Sequence, residues 1–157
     1  MNRSRKSAFS LIELVIVIVI LAVISAIALP RISRGAKGAD ESALSQNLAI
    51  LRSAVEMYAA EHGGTYPKVA TFVDQLTKYS DKSGATADAK DEASGKIYGP
   101  YLHKIPPLTV GASAGKTDVA AAAAANVAWI YTETSGKLTA NVAAGVTGSN
   151  GVEYAQW

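Results

Sequence analysis

Residues 9–29 form an apolar run broken by a single charge, Glu13. As a helix, these 21 residues rise about 31 Å, enough to cross a hydrocarbon layer of about 30 Å. A carboxylate at the centre of a membrane helix costs roughly 2.5–3.5 kcal/mol, and less toward the helix end, so such residues are rare and usually functional. Glu13 therefore needs compensation, and its place near the start of the run narrows where that can come from. A short basic leader with Arg3, Arg5 and Lys6 precedes the run.

The segment admits three readings. A secretory signal has an apolar stretch of about 7–15 residues followed by a small-residue cleavage site. This run is longer, carries an acid near its start, and ends in Leu29-Pro30-Arg31, a poor signal-peptidase site. A plain single-pass anchor fits the length but leaves Glu13 unexplained. The third reading places cleavage before the run, between Ala8 and Phe9, so that the run survives in the product. Flanking charge does not orient the span, because Arg31, Arg34 and Lys37 nearly balance the leader.

Ser7-Ala8-Phe9-Ser10-Leu11-Ile12-Glu13-Leu14 resembles the processing signal of type IV pilins and of the pseudopilins of type II secretion. The resemblance covers about residues 7–30. It implies cutting by a prepilin peptidase between Ala8 and Phe9 and N-methylation of Phe9. With Phe9 as the first mature residue, Glu13 is the fifth, where the family keeps its Glu. Pro30 is the twenty-second, where many members keep a Pro that kinks or loosens the helix. One departure is Ala8, since the family usually has Gly before the cut.

The resemblance further implies that Glu13 pairs with the terminal amine of a neighbouring subunit in a homo-oligomeric filament. The bland alternative is a Glu13 that snorkels to lipid headgroups. Other partners implied are membrane lipid, an inner-membrane assembly platform and minor pseudopilins. The implied location is the bacterial inner membrane, single-pass, with the head in the periplasm and a periplasmic or extracellular filament after assembly.

Beyond Pro30 the apolar residues form a stripe. Ile32, Ala36, Ala39, Ala43, Leu44, Leu48, Leu51, Val55, Tyr58 and Ala59 recur at helical spacing, while Arg34, Asp40, Glu41, Gln46, Arg52, Glu56 and Glu61 fall mainly elsewhere. Gly35 and Gly38 each weaken a helix by roughly 1 kcal/mol relative to Ala, so a bend or local melting is expected there. Gly63-Gly64 is a stop signal. One long, interrupted helix over residues 9–62 follows.

Residues 69–79 suit a short helix, and residues 80–94 an exposed polar loop. The tract of residues 120–125 is too short to hold a helix alone, and its structure stays open. Residues 127–132 and 137–142 alternate as two strands around a Glu133-Thr134-Ser135-Gly136 turn. Trp129 and Tyr131 fall on one face and Ile130 on the other. Residues 152–157 suit a last short strand.

The expected fold class is α+β: a long N-terminal helix, half transmembrane and half amphipathic, packed on a small antiparallel sheet. The corresponding divisions are a leader (1–8), a transmembrane or filament-core helix (9–30), an amphipathic helix (31–64) and a small globular head (65–157).

Catalytic chemistry finds no support. There is no cysteine, hence no disulfide and no thiolate nucleophile. Nucleophile-elbow, phosphate-loop and dinucleotide motifs are missing. His62 and His103 lack metal-ligand spacing and read as surface residues. Many major pseudopilins bind calcium in a loop near the C-terminus, but Asp118 and Glu153 stand isolated, and the acids of residues 81–92 read as a solvated face. No metal and no cofactor is expected. The formal charge is +2, and loss of the three basic leader residues leaves −1, so nucleic acid is not an expected partner.

Segments Gly99-Pro100-Tyr101-Leu102 and Pro106-Pro107, the hairpin and the lack of cysteine resemble major pseudopilins more loosely. The reading is a non-enzymatic filament subunit, a pseudopilin of type II secretion. Its rivals are a type IV pilus subunit for adhesion, motility or DNA uptake, and a membrane-anchored binding domain that never polymerises.

Overall fold

A computed structural model describes residues 10–157. Helix α1 spans Leu11–Glu61. It runs without interruption through Pro30, Gly35 and Gly38, so the expected local melting is not seen. Proline removes one backbone donor, and the Ala, Leu and Arg residues around it are strong helix formers. The Arg34 Nε–H also donates to the Pro30 carbonyl at 3.2 Å. At the far end Gly63 and Gly64 take positive φ, 66° and 84°, and the Gly64 N–H returns to the Ala59 carbonyl at 2.7 Å.

The chain packs as two units, one ending at Ala39 and one of Asp40–Trp157. In the second, a 3-10 turn (Val69–Thr71) leads into α2 (Phe72–Thr77). Strands β1 (Tyr79–Ser80) and β2 (Thr86–Ala87) form a small antiparallel pair where the sequence suggested only loop. Asp81 accounts for it: one carboxylate oxygen accepts from the Ser83 hydroxyl and from the Ser83 and Ala85 N–H groups, closing the turn. These bonds, the Ser83 hydroxyl foremost, hold the Asp81 carboxyl below its usual range.

A second sheet has the order β3 (Asp118–Ala120), β4 (Val127–Thr132), β5 (Lys137–Ala140). The β4–β5 hairpin is antiparallel as expected, with Trp129 opposite Ala140 and Tyr131 opposite Leu138. β3 joins β4 in parallel, so this sheet is mixed rather than antiparallel throughout. The alanine tract supplies the end of β3 and then the crossover, held where Asn141 Nδ2 donates to the Ala124 and Val127 carbonyls at 3.0 and 2.8 Å. Residues 154–156 form a 3-10 turn instead of the expected strand.

The core joins the inner face of α1 (Leu44, Leu48, Leu51, Val55, Tyr58) to Phe72, Leu76, Trp129, Tyr131 and Leu138. Trp129 and Tyr131 are fully buried on one face of β4, while Ile130 is half-buried on the other. Their polar ends are satisfied by proline carbonyls: Trp129 Nε1–H donates to Pro106 and the Tyr131 hydroxyl to Pro67, each at 3.0 Å.

Two residues differ from their sequence assignment. Glu41 is buried, its carboxylate accepting from Ser149 and Tyr154. His62 is buried as well, only 5 % exposed, rather than on the surface. Its ring stacks on Tyr58, centroids 3.8 Å apart, and its nitrogens lie 2.8 Å from the Tyr58 carbonyl, 3.1 Å from Ser80 Oγ and 3.0 Å from the Asp81 carbonyl. The chain reversal at Gly63-Gly64 folds those groups back over it. His103 is exposed.

Burial pushes up the pKa of several tyrosines. For Tyr101 the Glu61 carboxylate that accepts its hydroxyl adds to burial, and for Tyr131 the charge of Glu133 does. Tyr154 is pushed up to about 12 by burial and then by its bond to Glu41. Unfolded tyrosines titrate near 10, so the folded state retains protons that the unfolded state releases above that pH. The stabilisation is complete below pH 10 and is lost as pH rises from about 10 toward 12. Thermal unfolding at stepped pH should show the melting temperature falling across that window, in step with tyrosinate absorbance. A flat profile there would contradict the assignment.

Candidate assembly site

The apolar half of α1 carries large side chains on every side. Among residues 11–32, its leucines, isoleucines and valines are 39 to 80 % exposed. A helix that is apolar all round belongs in a protein core or in a membrane, and this one has no core of its own. It is long and apolar enough to cross a bilayer.

Glu13 lies in the first turn of this helix. Its Oε2 accepts the backbone N–H of Ser10 at 2.8 Å, while the Ser10 carbonyl accepts the N–H of Leu14 at 3.3 Å. Ser10 stands at the N-cap position, and Ser10-x-x-Glu13 is the spacing of a capping box, in which the third helical residue reaches back to the cap. The same place favours an anion, because unpaired N–H groups and the helix dipole make the N-terminus partly positive. The sequence thus supplies some of Glu13's compensation within the same turn. The spacing was available as a signal, but an apolar run with one acid draws attention to partners outside the helix instead.

A carboxylate has more acceptor capacity than one N–H uses, so Glu13 retains room for a further donor. Ala8 and Phe9, the residues of the expected cut and methylation, lie outside the described residues, as does the basic leader. Pro30 lies within α1, four residues before the arginine that binds its carbonyl. Among the described residues, no group of three or more His, Cys, Asp or Glu side chains is placed to hold a metal ion.

An exposed, apolar N-terminal helix half with one acid in its first turn thus leads into a small α+β unit. Residues 3–29 match the model of the prokaryotic N-terminal methylation motif. The match supports a type IV pilin-like subunit processed by a prepilin peptidase, in a class of proteins that is structural rather than enzymatic. A single-pass, membrane-anchored chain fits both the motif and the helix. No curated protein and no solved structure matches the chain.

Proposed function

We propose that the chain is a filament subunit of the pseudopilin kind, serving a type II protein secretion system. The precursor sits in the inner membrane with its head in the periplasm, is cut between Ala8 and Phe9, and is methylated on Phe9. Removal of the leader creates a cationic amine four residues before Glu13. Subunits then pack their apolar helices side by side. Glu13 accepts the amine of a neighbour and sets the axial offset. An assembly platform and minor pseudopilins complete the machinery.

The observation that carries this reading is the methylation motif lying over a helix whose apolar surface is exposed all round. A chain without cysteine, with Gly99-Pro100-Tyr101-Leu102 and Pro106-Pro107 in its head, favours the pseudopilin form over the pilus subunit.

Mass spectrometry of the native protein is expected to find a mature N-terminus at methylated Phe9. A purified native chain that still carries Arg3, Arg5 and Lys6 contradicts the proposal and favours a non-polymerising membrane anchor. Deleting the chain should stop export of secreted enzymes and leave twitching motility intact; the opposite pattern assigns it to a pilus.

A further inference from the structure

Residues 147–157 contain no strand, yet they are fastened to α1 at two places. Thr147 and Glu153 form an isolated antiparallel bridge, and the Gly148 N–H donates to the Val152 carbonyl at 2.9 Å, closing a tight loop. From this loop the Ser149 N–H donates to Glu41 Oε1 at 2.9 Å, and the Ser149 hydroxyl donates to Oε2 of the same carboxylate. The Tyr154 hydroxyl donates to Oε1 at 2.8 Å. Glu41 is only 5 % exposed and is the one charged residue among those α1 buries. About 16 Å further along the helix, Arg52 Nη2 donates to the Trp157 carbonyl at 2.6 Å.

The segment is closed but imperfectly so. Tyr154 and Trp157 pack edge to face, centroids 5.3 Å apart, directly on the Gly148 backbone: a Cβ there would stand 2.7 Å from the Trp157 ring. Burying Trp157 in this way leaves its Nε1–H without a hydrogen-bond partner among the described residues. An orphaned buried donor opposes closure, and charge-assisted bonds to a carboxylate favour it. The two act on the same short segment, which contributes no strand to either sheet.

We propose that residues 147–157 are a strap that opens from α1 as a unit, separately from the β3–β4–β5 sheet, with Glu41 as its catch. Opening withdraws Tyr154 from the core and frees the turn of α1 around Glu41 while the sheet stays folded. Segments held by few contacts open locally at lower cost than the core, and a single acceptor that receives three donors from one segment concentrates that cost in one residue. The strap belongs to the folded head and does not depend on whether the chain polymerises.

Amide hydrogen exchange on the full chain in detergent micelles tests this. In the parent protein, exchange in residues 147–157 should be faster than in β4 and β5. Glu41→Ala should speed it at least tenfold there while leaving β4 and β5 within twofold. Two outcomes overturn the proposal: an unchanged strap, or an equal rise in strap and sheet, which would make Glu41 a determinant of global stability. Should Glu41→Ala fail to fold, the double variant Tyr154→Phe, Ser149→Ala removes both hydroxyl donors and keeps the acid. It is read by the same comparison, with the same two outcomes against the idea.

Discussion

A Glu13→Ala variant is expected to enter the membrane and be processed normally, yet to yield at least tenfold less filament than the parent chain. Insertion should not suffer, because the change removes an unfavourable charge from an apolar helix. Assembly should, through the proposed pairing with a neighbour's amine. Deleting one partner of a buried ion pair leaves the other uncompensated, at a cost of roughly 3–5 kcal/mol. At about 1.4 kcal/mol per factor of ten, that is on the order of a hundredfold or more in the equilibrium for adding a subunit.

The internal contact of Glu13 with the Ser10 N–H predicts a smaller effect. An acid at an exposed helix N-terminus contributes about 0.3–1 kcal/mol, which alters an equilibrium by less than about sixfold. The size of the defect therefore separates the two roles. A reconstituted assembly reaction, with pelleted filament weighed against membrane-retained monomer, measures it. Wild-type yield would remove Glu13 from assembly, and a defect of only a few-fold would reduce it to a helix cap.

The second large effect belongs to the head. Trp129→Ala is expected to destabilise it by about 3–5 kcal/mol, the range for emptying a large aromatic site in a core. Trp129 is fully buried, lies opposite Ala140 in the hairpin, and binds the Pro106 carbonyl. Domains of this size have only about 5–15 kcal/mol in total, so roughly a fifth or more of the margin is at stake. With about 4 °C per kcal/mol, the melting temperature should drop by at least about 12 °C. Trp129→Phe keeps most of the apolar volume and loses the N–H, so it should fall between the two. Calorimetry of the parent and both variants checks the order. A fall of only a few degrees for Trp129→Ala would mean that the hairpin does not anchor the core as described.

The legible parts of this fold were those written in local periodicity. Period-two alternation placed the β4–β5 hairpin and the inward direction of Trp129 and Tyr131, and helical spacing with Gly63-Gly64 placed the end of α1. The buried polar residues were not legible. Glu41 reads as a solvent-facing acid until residues 108 and 113 positions later fold onto it, and no local pattern announces partners that distant. His62 failed for the same reason, because Ser80 and Asp81 reach it only through the β1 turn. The parallel pairing of β3 lay in a low-complexity tract whose composition favours no single state. At the candidate site the acid, the apolar run and the motif were plain, whereas the Ser10 contact was local and could have been read from spacing alone.

The exposed girth of α1 also governs how such a molecule must travel. On the proposed reading, the first half of α1, greasy on all sides, gives the chain no stage at which it drifts alone through water, and the lipid layer serves as its storehouse. Growth of the proposed filament then has to draw each unit straight out of that reserve, and shrinkage has to return it there.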